Sequence, residues 1–332
     1  MNIPSQLIDQ FDRQVTYVRL SVTDRCDFRC VYCMDERMTF VPRAQLLTLE
    51  ELELLGRAFV ELGVTKIRLT GGEPLVRKKV LQLFQGLGHL EGLKELVLTT
   101  NGSQLAKMAQ PLKEAGVKRI NISLDSLNPK RFLKMTRTGK LENVLRGIEA
   151  ALKVGFQRLK LNAVILKNRN HDEVTDLVQF AVDNGIDISF IEEMPLGNIG
   201  EHNRAEAFYS SDQIRHDLNA TFQLIPTTET TAGPSKYYRV THTDTRVGFI
   251  SPHTHNFCDS CNRVRVTTEG SLLLCLGQEH SVDLRRVIRA NPGDLTDLKQ
   301  TLVKAMAIKP KGHNFELNKE PQILRYMNMT GG

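Results

Sequence analysis

Residues 17–33 read YVRLSVTDRCDFRCVYC. The first seven alternate: Tyr17, Arg19, Ser21 and Thr23 on one side, Val18, Leu20 and Val22 on the other. A period of two is that of an extended strand. Three cysteines follow at once. The same alternation returns at Lys66, Arg68 and Thr70 against Ile67 and Leu69, and at Arg119, Asn121 and Ser123 against Ile120 and Ile122. It returns again at Arg158, Lys160 and Asn162 against Leu159 and Leu161. A closed eight-stranded barrel fills its interior with Val, Ile and Leu, and fully buried parallel strands read as continuous apolar runs. Here one strand face is polar. The apolar faces should meet helices, and the polar faces should line the lumen of an open or partial barrel that holds a polar, anionic ligand. About six strands are expected, near 17–23, 66–70, 95–100, 119–124, 158–165 and 188–193.

Helices separate them. Thr48 with Glu51 three residues on is a capping-box signature, and Leu52, Leu55, Phe59 and Leu62 fall on one helical face. A second helix is expected over Leu141–Val154. Gly63, Gly116, Gly155 and Gly185 each follow a helical pattern and open into a strand, which suits a left-handed helix end. Alternating strands and helices indicate an α/β fold. The pattern changes after residue 225. Ile225 to Pro234 reads as a linker, short strands follow near 237–240, 246–250, 263–267 and 272–275, and helical pattern returns near 283–289 and 294–307. The expected division is 1–225 and 226–332.

With 41% hydrophobic and 25% charged residues over 332, the chain can bury a core and is not a disordered tail. No apolar run approaches the ~20 residues of a membrane span, and no secretory signal is visible at the start. A soluble, cytoplasmic chain is expected. In a reducing compartment six cysteines serve better as ligands than as disulfides. They form two triads: Cys26, Cys30 and Cys33, and Cys258, Cys261 and Cys275. Thiolates select zinc, copper(I) or iron–sulfur clusters. The first triad has no nearby fourth ligand to complete a zinc tetrahedron. The second could be completed by His253, His255 or His280, so zinc and a cluster both stay open there.

Cys26–Cys33, with Tyr32 just before the last cysteine, resembles the signature of the radical S-adenosylmethionine (SAM) superfamily. Gly71-Gly72-Glu73-Pro74 resembles its second motif. Thr23-Asp24-Arg25, Thr99 to Gly102, Ser123 to Ser126, and Cys258 to Cys275 with Arg263-Val264-Arg265 resemble the superfamily's molybdenum cofactor biosynthesis A family, whose members are GTP 3′,8-cyclases. The likeness runs to the terminal Gly331-Gly332. Asp27 stands where Asn is common, and Asp35 where Pro is common.

The resemblance implies a partial (βα)6 radical SAM barrel with a C-terminal α+β domain, and two 4Fe-4S clusters, one per triad. SAM would lie on the first cluster, contacted by Tyr32, Gly72, Ser123 and Met194. GTP would lie against the second, contacted by Arg19, Arg68, Thr99, Lys160, Arg263, Val264 and Arg265. It implies that Gly331-Gly332 threads into the active site, with Arg263 and Arg265 as further catalytic groups. Read from the residues alone, Met194 suits core packing and the tail a frayed terminus. Arg263 and Arg265, two apart on a strand, share a face, and Arg grips phosphate in bidentate fashion. Lys66 and Arg158 share the alternation but lie farther from the strand ends where such sites form, and are left out.

The implied reaction is a lyase's. A 5′-deoxyadenosyl radical takes hydrogen from C3′ of GTP, and the C3′ radical attacks guanine C8. A further electron and proton complete (8S)-3′,8-cyclo-7,8-dihydroguanosine 5′-triphosphate. Implied partners are an external one-electron reductant of flavodoxin or ferredoxin type, a downstream cyclic pyranopterin monophosphate synthase, and a second copy in a homodimer. Neither membrane nor nucleic acid is expected. Two alternatives remain: a radical SAM peptide-modifying enzyme with an auxiliary cluster, and a zinc-stabilised nucleic-acid-binding protein suggested by net charge +6. The latter lacks aromatic residues clustered beside basic ones.

Overall fold

The computed structural model describes residues 4–199, 202–317 and 323–331. Six parallel strands form its centre: β1 (Tyr17–Ser21), β2 (Lys66–Thr70), β3 (Glu95–Thr100), β4 (Val117–Ser123), β5 (Arg158–Val164) and β6 (Asp187–Ile191). The helices between them are α1 (Leu49–Glu61), α2 (Val80–Gly88), α3 (Leu105–Glu114), α4 (Pro129–Thr136), α5 (Leu141–Val154) and α6 (Val174–Asp183). Thr48 and Glu51 make the expected capping box at α1, whose Leu52, Leu55 and Phe59 are buried. The four glycines Gly63, Gly116, Gly155 and Gly185 all have positive φ. Val18, Leu20, Ile67, Leu69, Ile120, Ile122 and Leu161 lie fully buried in one core with α1, α3 and α5. Each such side chain contributes roughly 1.5–3 kcal/mol.

The remainder of the chain extends this sheet. After α7 (Arg204–Ala207) and α8 (Ser211–Leu218) come β7 (Leu224–Pro226), β8 (Lys236–Val240) and β9 (Arg246–Ile250), and β9 pairs parallel with β6. Then β10 (Arg263–Val266) pairs parallel with β1, and β11 (Ser271–Leu273) and β12 (Ser281–Asp283) follow antiparallel. The order is β12-β11-β10-β1-β2-β3-β4-β5-β6-β9-β8-β7, an open sheet with two ends. Helices α9 (Leu284–Ala290), α10 (Leu295–Met306) and α11 (Met327–Thr330) complete the chain. No helix among the described residues is long and apolar enough to cross a membrane.

The stretch expected to be a linker is instead built into the sheet and the lumen. Leu224–Pro226 is β7, paired with β8, and the Thr231 carbonyl accepts from Lys66 Nζ at 2.6 Å. Composition alone could not show this, because a strand of three residues carries too little periodicity.

Candidate active site

Parallel pairing sets side chains of one register on one face. Arg265, Arg19 and Arg68 are register partners across β10, β1 and β2, and Arg263, Tyr17 and Lys66 form the row beneath them. This is the polar lumen. One cavity is lined by Tyr17, Arg19, Lys66, Arg68, Lys160, Arg263 and Arg265 together with Cys258, Cys261 and Cys275. A second is lined by Cys26, Cys30, Cys33, Tyr32, Gly72, Ser123 and Asp125. The two share the walls Asn162, Ile191, Met194, Arg265 and Leu276. A cysteine triad therefore stands at each end of one polar lumen, with six cations between.

The first triad sits on the loop leaving β1. Its backbone is fixed by Arg29 N to Thr136 O at 2.9 Å, Val31 N to Met135 O at 3.0 Å, and Met327 N to Cys33 O at 3.3 Å. Gly72 N and Glu73 N donate to Thr23 O and Arg25 O at 2.7 and 2.8 Å, so the second motif packs backbone against the cysteine loop. A Cβ at Gly72 would lie 2.4 Å from the Arg25 carbonyl, which is why that position is glycine. Asp27 accepts from Asn101 Nδ2 and Ser103 Oγ, each at 2.6 Å, tying the loop to the turn after β3.

Two buried carboxyls border the triad. Burial raises Glu73 to about 7, although it accepts from the Asn101 and Leu75 amides and Thr100. Burial raises Asp125 to about 6, against Tyr32 Oη donating at 2.7 Å and the Val164 amide at 2.9 Å. Burial, helped by the nearby Asp125 carboxylate and opposed by a hydrogen bond from the Asn328 amide, pushes the Cys33 thiol up to about 12, and Cys26 and Cys30 are also raised, first by burial. Thiolates here need a cationic group to hold them. Three cysteines with no fourth ligand among the described residues fit a 4Fe-4S cluster with one open iron.

The second triad is held from behind. Arg13 donates to Cys258 O at 2.7 Å and to Asp9 at 2.7 Å. Buried Lys309 reaches Asp9 at 3.3 Å and Cys261 O at 3.5 Å. Burial raises the Cys261 thiol, but Arg263, Lys309 and Arg13 outweigh it and the net shift is downward. Cys275 is raised by burial. Two of the three histidines considered as zinc ligands are engaged elsewhere: His253 Nε2 donates to Glu193 O at 2.8 Å, and His255 pairs with Asp212 at 2.9 Å. Among the described residues no three His, Cys, Asp or Glu side chains could hold a single metal ion. The donor set again fits a cluster rather than zinc.

The cations press on one another. Burial, then Arg68 and Arg263 against the pull of Tyr17, lowers Arg19 to about 10. Burial lowers Lys66 to about 8. Arg68 donates to Tyr17 Oη at 2.6 Å and to Thr99 Oγ1 at 2.9 Å. Lys160 donates to Ser189 Oγ and Tyr237 Oη at 3.1 and 3.2 Å. Such crowding has a cost that a polyanion would relieve.

Most residues expected at the site converge on this lumen. Thr99 lines the first-triad cavity and reaches the other only through Arg68. The Val264 side chain belongs to the apolar core behind Arg263 and Arg265. Met194 lines both cavities. Gly331 lies inside: its carbonyl accepts from Arg19 Nε and Nη2 at 3.2 and 2.7 Å, and from Arg265 Nη1 at 2.8 Å. Gly332 lies outside the described residues. Arg158 pairs with Asp187 at 3.7 Å, away from both cavities. Lys66, set aside on position along the strand, is in the cation cluster; its place in the alternation was the better guide. Sequence reasoning also missed Tyr17, Glu73 and Asp125, all inside motifs it had noted, and His313, Phe257 and Phe315, which carried no signal.

Comparison with known proteins agrees. The sequence model of the Radical SAM superfamily matches residues 20–181, and that of Molybdenum Cofactor Synthesis C matches residues 186–315. The chain is 61% identical over 328 residues, 99% of each chain, to the GTP 3′,8-cyclase of Saccharophagus degradans. It is 59% identical over 330 residues, again 99% of each, to that of Pseudomonas entomophila. Among solved structures it resembles Streptococcus suis SuiB bound to S-adenosylmethionine, with TM-score 0.62 and 14% identity over 96% of this chain and 79% of that one. This last likeness concerns the fold.

Proposed function

Because the chain belongs to the GTP 3′,8-cyclase family, we propose that it is itself a radical SAM GTP 3′,8-cyclase, a lyase acting in molybdenum cofactor biosynthesis. One observation carries the reading: a single polar lumen with a cysteine triad at each end and six cations between. Cys26, Cys30 and Cys33 would hold one 4Fe-4S cluster, and Cys258, Cys261 and Cys275 the other. When bound, the first cluster and SAM would supply the 5′-deoxyadenosyl radical that takes hydrogen from C3′ of GTP; C3′ then joins guanine C8, and one further electron and a proton complete (8S)-3′,8-cyclo-7,8-dihydroguanosine 5′-triphosphate.

The chain's residues position and enclose. Arg19, Arg68, Lys160, Arg263 and Arg265 take the triphosphate, with Lys66 added on the geometry, and Thr99 and Tyr17 orient Arg68. Arg is suited to this because its planar fork grips phosphate oxygens in pairs. Tyr32, Gly72, Ser123 and Met194 border the SAM position, where Asp125 fixes the Tyr32 hydroxyl. Gly331 lies beside Arg19 and Arg265 so that the tail closes the lumen over bound substrate; Val264 serves only by setting the two flanking arginines. Exclusion of water protects a radical and strengthens every charge contact inside. Residues 1–225 supply the barrel and 226–332 the second triad and tail. We place the enzyme in the cytoplasm as a homodimer. An external one-electron reductant of flavodoxin or ferredoxin type feeds it, and a cyclic pyranopterin monophosphate synthase takes its product.

Iron and acid-labile sulfide per chain, measured after anaerobic reconstitution, test the reading. About eight irons, falling to about four in the Cys258→Ala, Cys261→Ala, Cys275→Ala variant, are expected. One zinc with about four irons in the parent would remove the second cluster and with it the anchor for GTP.

A further inference from the structure

The cluster loop touches the protein surface on the side of α4. There a groove is lined by Lys130, Arg131, Lys134, Lys167 and Arg169, with Glu206 as the facing carboxylate. Arg131 is neutralised by Asp172 at 2.8 Å and Glu173 at 2.6 Å. Lys130, Lys134, Lys167 and Arg169 have no side-chain hydrogen bond or ion pair among the described residues, and the three lysines are exposed. Unpaired cations gathered in one concavity focus a positive field into it.

The floor of the groove is apolar. Met135 and Ala207 line it and pack with Val31 and Leu166 into a small buried cluster, against which Tyr32 rests. Val31 and Tyr32 are the two residues between Cys30 and Cys33. One layer of side chains therefore separates the groove from the first triad. On the outer side of α4, Leu133 is 50% exposed beside Lys130 and Lys134, an apolar contact set among the charges. A cationic surface with an apolar centre, one layer from a redox group, is built for a brief encounter with an acidic protein rather than for a small anion.

We propose that this groove is the docking surface for an acidic one-electron carrier protein, whose reduced prosthetic group delivers its electron through Met135 and Val31 to the cluster held by Cys26, Cys30 and Cys33. The proposal rests on the reading of that triad as a cluster site. The carrier loses one electron and the cluster gains it, with no bond made or broken.

The test is binding, read by calorimetry, of an oxidised acidic flavodoxin and of an oxidised acidic ferredoxin to the reconstituted enzyme at rising salt. The groove variant is Lys130→Glu, Lys134→Glu, Lys167→Glu. A control of equal charge change is Lys107→Glu, Lys113→Glu, Lys153→Glu. The parent and the control are expected to bind at least one carrier, more weakly as salt rises, and the groove variant roughly tenfold or more weakly still. Dithionite-driven SAM cleavage should be the same in all three. Equal binding by groove and control variants, no binding of either carrier to the parent, or loss of dithionite-driven cleavage in the groove variant would each overturn the proposal. Iron content is measured separately: an iron-free first triad defeats the cluster reading itself, whatever the carriers do.

Discussion

Substituting Gly331→Ala should unseat the tail without disturbing the fold. Gly331 has φ +73, and a Cβ there would lie 2.2 Å from Thr70 Cγ2 and 3.2 Å from Thr70 Cβ and Oγ1. Thr70 is 1% exposed, and its β-branched side chain is stiff, so it cannot swing aside. Left-handed backbone costs an alanine roughly 1–2 kcal/mol, and forcing a methyl into a filled site costs roughly 1–3 kcal/mol. The sum of about 2–5 kcal/mol falls on a tail end that Arg19 and Arg265 hold by the Gly331 carbonyl, with Arg265 also reaching the Thr330 carbonyl at 3.5 Å. At about 1.36 kcal/mol per factor of ten, the seated fraction falls roughly thirtyfold to a few thousandfold. Turnover of GTP with dithionite as reductant should fall with it, while Tm, read by calorimetry, stays within about 2 °C because only the last residues move. A turnover within about threefold of the parent would refute the reasoning, since the tail would then have no part in the working site.

Three further outcomes follow from the same lumen. Lys66, lowered by burial to about 8 from an ordinary 10.5, is recharged by a bound triphosphate, so GTP binding takes up a proton above pH 8. Affinity should be flat below pH 8 and weaken by up to about tenfold per pH unit above it, and Lys66→Met should abolish that slope in calorimetric titrations. The same shift has a sign for folding: between pH 8 and 10.5 the unfolded chain holds the proton more tightly, so this residue's contribution to stability rises with pH across that window. His313 is buried in the substrate cavity with both ring nitrogens unpartnered among the described residues, and burial, then His253, lowers it to about 4, leaving it neutral. Stacked 4.0 Å from Phe315, it suits a purine edge. His313→Phe should weaken GTP about tenfold, the worth of about one hydrogen bond, and leave inorganic tripolyphosphate unaffected, with His313→Asn restoring part of the loss. Equal weakening of both ligands would show that His313 supports the fold and not the base.

The barrel was legible because its lumen is polar. Arg19, Arg68 and Lys160 break the apolar runs that a closed barrel would need, and the alternation places them on one face. Both cysteine triads were legible for a similar reason: spacing on a chain is local information. What stayed hidden depended on distant contacts. The parallel pairing of β10 with β1, which sets Arg265 beside Arg19, joins residues about 245 positions apart and leaves no local trace. Lys66 was set aside because position along a strand was weighed above the face it occupies. His313 and Phe315 come from a segment without periodicity, and only the folded chain brings them to Cys258. Spacing alone leaves zinc open for the second triad, because the partners that His253 and His255 take, Glu193 and Asp212, are distant in sequence.

The most direct test follows one hydrogen atom. The reconstituted enzyme is incubated anaerobically with SAM, dithionite and GTP carrying deuterium at C3′, and the 5′-deoxyadenosine formed is examined by mass spectrometry. Deuterium in 5′-deoxyadenosine, together with a product isomeric with GTP that has lost the C3′ label, is the predicted result. SAM cleaved to unlabelled 5′-deoxyadenosine, with the GTP returned intact, would contradict the account.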